Sequence, residues 1–392
     1  MRIILLQTVG GVRADGDTGG GVVQLANIGR EWCRSGNQVF LITNSDDAGG
    51  KMYQGLTKVH RVRSFTGLFV IDFFMNFLRQ KPDLVKAITS ILEDNTSQSL
   101  IISASPFPSD VIATFYLSWR FKLRAIVNFH HLPPPPWKHP IKRGVIRSVV
   151  NFVTNQFSLL LVKMGQMLPS IEHPSEITSS GWRIATGILK NEIPLSRQFD
   201  ARQASLKRGQ EGCFIGRVAP NKGVTDLIRS WKIVSNVFPE AKVVIAGRLH
   251  GENYGRRLYR LRSKLRLEHN VLFEFRHISE MEKMALLSSS LLFVFPSYEE
   301  GWSLSVMEAA FFGAVPVTYD LIAYEYLGRE ATKVPVGDFV ALAHTIIELL
   351  SNTDKVIAMS NIFSRKVTEF NLPEIAQYQL SKIMQFTEIG HI

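Results

Sequence analysis

The chain has little that would tie it to an oxidising compartment or to a bilayer core. Only two cysteines occur in its 392 residues, Cys33 and Cys213, far apart and without metal-ligand spacing. That excludes a disulfide framework and a thiolate metal site. Both read as inert packing residues, and the expected location is cytoplasmic or at the cytoplasmic face of a membrane. No apolar run reaches the roughly 18–20 residues needed to span a bilayer. The start, Met1-Arg2-Ile3-Ile4-Leu5-Leu6-Gln7, has too short an apolar part and no small-residue cleavage site, so it reads as a first strand rather than a signal peptide. Acidic residues are also scarce: 34 stand against 45 lysines and arginines, a formal net charge of +11. Residues 1–200 hold 22 basic and 14 acidic residues, so most of the surplus lies there. Two readings fit that surplus: an anionic partner such as membrane headgroups or a phosphorylated lipid, or solubility alone. Nucleic acid is not expected, because the basic residues are scattered and no binding module or stacking array accompanies them.

The remainder is an ordinary globular composition, 45% hydrophobic and 20% charged, in a chain long enough for two domains with their own cores. Short apolar runs alternate with amphipathic stretches, the pattern of parallel α/β domains. Strands are expected at Arg2–Gln7, Gln38–Thr43, Leu100–Ala104 and Ala125–Phe129 in the first half. In the second half they are expected at Cys213–Gly216, Lys242–Ala246, Val271–Phe275, Leu291–Phe295 and Val315–Thr318. A helix is expected from about Gly20 to Ser35, and the polar, basic stretch 196–212 reads as a hinge.

Two motifs carry chemistry. In Pro296-Ser297-Tyr298-Glu299-Glu300-Gly301-Trp302-Ser303-Leu304-Ser305-Val306-Met307-Glu308, an apolar strand feeds a turn and a helical pattern begins near Ser303. Glu300 then lies in the loop and Glu308 about two turns into the helix, a layout that grips one ligand twice beside free helix N–H groups. Gly301 lets the backbone approach that ligand. A capped helix with one solvated acid has the same local pattern, so the pair is judged by its company. That company is Cys213-Phe214-Ile215-Gly216-Arg217-Val218-Ala219-Pro220-Asn221-Lys222-Gly223. Here a strand ends in Gly-Arg and Lys-Gly opens the next helix, placing two cations where they can neutralise a diphosphate without a metal.

With both motifs present, the chain resembles glycosyltransferase family 4, the group 1 glycosyltransferases, which are retaining, nucleotide-sugar-dependent enzymes of the GT-B fold. The likeness continues through Ala241–Gly247, Asn270–Phe275 and Gly313–Val317, covering nearly all of the second half and, more weakly, the first. It implies an α/β protein of two Rossmann-like parallel-sheet domains facing a central cleft. Residues 1–198 would be the acceptor-binding domain and 199–371 the donor-binding domain, with 372–392 forming a helix that crosses back to the first. The implied reaction moves a hexose from a UDP- or GDP-sugar to a glycan, glycolipid or lipid-linked acceptor. No cofactor or metal is implied. Arg217 and Lys222 would clamp the leaving diphosphate, with the Ser303 and Leu304 N–H groups completing the clamp. Glu308 would hold the ribose, and Glu300, Gly301 and Trp302 would line the donor sugar.

In the first half, His130 follows an expected strand in Ile126-Val127-Asn128-Phe129-His130-His131, where the family places a donor-contacting histidine. His131 is the alternative. Gly20 and Gly21 open the first helix where family members let donor phosphate approach the backbone. Asp15-Gly16-Asp17 looks like a metal-binding pair, but it sits in a glycine-rich loop rather than directly after a strand, so no metal is expected there. Two departures from the family stand out: Gly301-Trp302-Ser303 replaces Gly-aromatic-Gly, and Ala185-Thr186-Gly187-Ile188-Leu189 replaces a usual Asn-Gly-Val-Asp turn. A sugar-nucleotide epimerase, a phosphorylase and a non-catalytic nucleotide-sugar-binding subunit are the rival readings.

The stretch Ile141–Lys163 has apolar residues at 141, 145, 149, 152, 153, 157 and 160, with Arg143, Arg147, Asn151, Thr154 and Ser158 on another face. Either this is a core helix or it meets an anionic membrane surface.

Overall fold

The leucine- and isoleucine-rich run after Met1 forms the central strand of a parallel sheet, and the other short apolar runs assemble around it. The computed structural model describes residues 1–8, 20–44, 53–63, 70–93, 98–129, 145–171, 185–186, 210–328, 332–368 and 372–388. The chain divides into two units, Met1–Pro194 with Asn371–Ile392, and Leu195–Phe370.

The first unit runs β1 (Arg2–Gln7), α1 (Gly20–Arg34), β2 (Gln38–Thr43), β3 (Lys58–Arg61), α2 (Val70–Leu92), β4 (Ser99–Ser103), α3 (Pro108–Phe121), β5 (Arg124–Phe129), α4 (Val145–Met164), β6 (Leu168–Ile171) and β7 (Ala185–Thr186). The strands lie parallel in the order β3-β2-β1-β4-β5-β6-β7, with Ile4 opposite Phe40 on one side and Ile101 on the other. Helices cover both faces, which is why the inner strands are continuous apolar runs without alternation. One face packs Ile4, Leu6 and Ile101 against Leu84, Ile88 and Leu117. The other packs Ile3, Leu5 and Ile102 against Trp32 and Ile383.

The second unit runs β8 (Gln210–Ile215), α5 (Val224–Val237), β9 (Val243–Ala246), α6 (Glu252–Lys264), β10 (Val271–Glu274), α7 (Glu280–Ser289), β11 (Ser290–Phe295), α8 (Leu304–Phe311), β12 (Val315–Tyr319), β13 (Thr332–Val334), α9 (Phe339–Leu350) and α10 (Thr353–Thr368). Its sheet is also parallel, ordered β10-β9-β8-β11-β12-β13. The final helix, α11 (Leu372–Glu388), returns to the first unit. There it meets α1, and the Trp32 Nε1–H donates to the Ala376 carbonyl at 2.9 Å.

In this second sheet the chain builds outward from β8 through β9 and β10, then restarts beside β8 with β11. The reversal between β8 and β11 is a topological switch point, where loops leaving the two carboxyl ends diverge and leave room for a ligand. Those loops are the ones that carry Arg217 and Lys222, and Glu300.

Two sequence expectations, the hinge end and the depth of Glu308, need correction, and two segments left open there are now placed. Gln210–Gly212, read as the end of the hinge, belongs to β8. The segment beginning Ala185-Thr186 opens as an edge strand, β7, paired with β6. Glu308 is the fifth residue of α8, just over one turn in rather than two. In α4, Ser158 of the polar set is buried, its hydroxyl donating to the Pro106 carbonyl at 2.8 Å. Val149, Val153, Phe157 and Leu160 are exposed instead.

Candidate active site

After β8 the chain passes Gly216 and runs beside the continuation of β9. The Val218 N–H donates to the Arg248 carbonyl at 2.8 Å, and the His250 N–H to the Val218 carbonyl at 2.9 Å. This approach is possible because Gly247, at φ +132°, has no Cβ. One added there would sit 2.0 Å from the Gly216 carbonyl oxygen. Arg217 leaves this segment exposed, and among the described residues its side chain makes no ion pair. A 3-10 turn, Pro220–Lys222, and Gly223 in the left-handed region then start α5. A cavity of about 350 Å³ borders the same turn between Pro220, His250, Tyr254 and Arg257.

The loop after β11 is stapled onto that turn. The Asn221 carbonyl accepts from the Tyr298 N–H at 2.9 Å and from the Ser297 hydroxyl at 3.2 Å. Below the contact lies Asp226, buried in the first turn of α5. Its carboxylate accepts from the Tyr298 hydroxyl and, at 2.8 Å, from the Tyr319 hydroxyl. Both phenols are pushed up, by burial first and then by that carboxylate. They therefore stay protonated and act as fixed donors. Above the contact, the Lys222 ammonium forms an ion pair with Glu300 Oε1, and both side chains are largely buried. Glu300 also lies close enough to Tyr324 and Tyr326 to reinforce the upward shift that burial causes in each phenol.

α8 starts at Ser303, whose backbone adopts φ 54°, ψ 79°. A serine occupies the left-handed conformation that a glycine would take at lower steric cost. This is the structural consequence of the Trp302-Ser303 pair noted in the sequence. The Trp302 ring leans on Tyr326, with centroids 5.1 Å apart. No side chain caps the helix. Among the described residues the N–H groups of Leu304 and Ser305 donate to no carbonyl, so the helix start offers two free donors.

Glu308 is buried in the same helix and pairs with Lys283 Nζ of α7 at 2.7 Å. Burial pushes the Glu308 carboxyl above its ordinary value, and Lys283 partly counters this. Burial alone would lower the Lys283 ammonium, but Glu308 and Glu280, the latter 2.8 Å away, together leave it raised. Lys283→Met therefore removes the counter-charge of a buried carboxylate. The expected stability loss is about 3 kcal/mol at pH 8. Since a carboxyl with a raised folded value is most stable below its unfolded value and loses stability as pH rises, the loss should shrink in acid. In acid Glu308 can relieve its lost counter-charge by taking up a proton, so the loss at pH 5 should be smaller than at pH 8. Urea midpoints at the two pH values check this, and equal losses would contradict it.

The structure thus joins Lys222 to Glu300 and sets Glu308 one turn into α8, beside the free N–H groups. Gly20 and Gly21 open α1 in the first unit. His130, His131, Asp15 and Asp17 lie outside the described residues. Sequence reasoning missed Lys283 and Asp226. Lys283 sits inside an unremarkable capping box of Ser279 and Glu282. Asp226 looks like an ordinary first-turn acid, and only its burial sets it apart.

Fold and charge together define a two-unit parallel α/β protein of the GT-B type, with a cluster of charged side chains at the switch point of its second sheet. Residues 197–364 match the family described as glycosyl transferases group 1. Among curated proteins, the chain is similar to the capsular polysaccharide biosynthesis glycosyltransferase CapM of Staphylococcus aureus, 28% identical over 142 residues. That alignment spans 36% of each protein, so it covers about a third of CapM's length. Among solved structures, sucrose-phosphate synthase from Thermosynechococcus elongatus superposes with a TM-score of 0.76 at 18% identity, covering 99% of both chains. Anabaena HepE, solved in complex with UDP and glucose, superposes at 0.72 with 17% identity, covering 98% of this chain and 99% of its own.

Proposed function

We propose that the chain is a retaining glycosyltransferase that moves a hexose from a UDP- or GDP-linked donor to a glycan, glycolipid or lipid-linked acceptor, without a metal. One observation carries the reading: Lys222 and Glu300 meet at the mouth of the β8–β11 switch point, beside the unpaired N–H groups of α8. Arg217, Lys222 and those N–H groups supply fixed positive charge where a diphosphate would depart. Glu308, with one oxygen held by Lys283, presents the other to ribose hydroxyls. Glu300 accepts from hydroxyls of the donor sugar. In the transfer step the acceptor oxygen bonds to the anomeric carbon as the bond to the phosphate oxygen breaks. The acceptor proton passes to the departing diphosphate, and the positive charge that builds on the sugar ring is oxocarbenium-like. UDP is favoured as the nucleotide by the likeness to HepE, whose structure holds UDP and glucose. A peripheral position at an anionic membrane, on its cytoplasmic side, belongs to the same reading and suits a lipid-linked acceptor.

The test is thermal stabilisation by UDP-, GDP- and ADP-sugars in EDTA, because a ligand that binds only the folded chain raises its melting temperature. A selective rise with one nucleotide sugar is the expected result, and ¹H NMR of the transferred sugar should then show the donor's anomeric configuration. A rise that needs Mg²⁺ or Mn²⁺ would overturn the metal-free site and return attention to Asp15 and Asp17. No rise under either condition would overturn the enzyme reading.

A further inference from the structure

α4 is unusual among the described helices in exposing its most apolar stripe. Val149, Val153, Phe157, Leu160 and Met164 are 40, 53, 40, 48 and 64% exposed. At about 100° per residue they fall within an arc of roughly 80°, and they extend about 22 Å along the axis. The opposite side of the helix is the one that packs, through Ser158, Leu159 and Val162. The neighbouring helices continue the pattern. α4 packs on α3 and α3 on α2. On α3, Trp119 is 75% exposed, and on α2, Phe74 and Leu78 are also exposed. An exposed stripe of five large apolar side chains along one helix is the kind of surface that marks an interaction site.

Charge identifies the occupant. From Val111 to Ile171 the sequence contains no aspartate or glutamate and eight lysines and arginines, which equals the surplus of the first 200 residues. Arg120, Lys122 and Lys163 of this stretch are exposed. The nearest acid before it, Asp110, is buried and accepts from Thr8 and Ser105, so it contributes no exposed negative group. An exposed apolar stripe within a long stretch bearing only positive charge matches an anionic lipid surface, where acyl chains take the apolar residues and headgroups the cations.

We infer that the α4 face of the first unit docks on an anionic lipid bilayer, with Val153, Phe157, Leu160 and Met164 entering the interface. This deepens the peripheral-membrane part of the reading above but does not depend on the transfer step. The experiment is co-sedimentation of the full chain with vesicles of phosphatidylcholine alone, or with 40% phosphatidylglycerol, at low and high salt. Wild type should bind the anionic vesicles at least tenfold more tightly than the neutral ones, and salt should weaken binding. Val153→Ser/Phe157→Ser/Leu160→Ser should lose at least tenfold while melting as wild type, because the replaced side chains are exposed. Phe157→Ser alone serves as the milder variant. Wild type remaining in the supernatant with anionic vesicles, or the triple variant binding equally well, overturns the inference. So does a wild-type dimer that the triple variant converts to monomer, since the face would then hold a second copy of the chain. Vesicle binding by a chain that responds to no nucleotide sugar upholds this inference and removes the transfer reading alone.

Discussion

Lys222→Ala is expected to lower transfer from the nucleotide-sugar donor by about 10²–10³-fold, the effect of removing one preorganised charge stabiliser from a reacting centre. It should also lower stability. The Lys222 and Glu300 side chains are 16 and 10% exposed, so removing the ammonium strands a carboxylate beside the buried Tyr324. Breaking such a pair from one side costs about 3 kcal/mol, whereas removing both charges costs far less. The double variant Lys222→Met/Glu300→Gln should therefore recover most of the stability and none of the rate. Denaturant midpoints and kcat/KM separate the two effects. A double variant that recovers the rate, or a Lys222→Ala enzyme that transfers normally, would show that the pair is structural and the clamp lies elsewhere.

Gly223→Ala should be the most damaging single methyl group in the second unit. Gly223 sits at φ +68°, and a Cβ there would lie 1.8 Å from the Pro296 carbonyl oxygen and 2.7 Å from its carbon. Both atoms are backbone, so no side chain can swing away. Either the 219–223 turn parts from the loop after β11, separating Lys222 from Glu300, or the strand end moves. A loss of about 4 kcal/mol is expected, in the range reserved for a named structural failure. Gly36 is the control. Its φ is +82°, but an added Cβ would meet nothing within 4 Å, so Gly36→Ala should cost only the left-handed backbone term of about 1–2 kcal/mol. If the two variants melt alike, the close approach of these loops is not what holds the site together.

The pairing that makes the site was only partly legible in the sequence. β1 and β2 are readable residue for residue because strands covered on both faces need continuous apolar runs. β3, with Lys58-Val59-His60-Arg61, and the short strands β7 and β13 have no such run and exist through pairing to a neighbour. β6 hides a proline and a serine, Pro169 and Ser170, between two apolar residues. In the site, local spacing places Lys222 at a helix start and Glu308 within the next motif's helix. The partners come from 78 residues away for Lys222–Glu300, 25 for Lys283–Glu308 and 72 for Tyr298–Asp226. No periodicity encodes those distances; the β8–β11 pairing sets the first and third, and the packing of α7 on α8 sets the second. α4 is the opposite case. Its apolar stripe was readable, but whether it faced the core or the surroundings depended on which side α3 packs against.

The most direct test of the account is backbone hydrogen exchange of the full chain, in EDTA, with and without a saturating UDP-sugar. The expected result is protection confined, within the second unit, to the segments around residues 217–223 and 300–308, including the free N–H groups at the start of α8. Binding that leaves both segments unprotected, or that protects the second unit only away from the β8–β11 switch point, would contradict it.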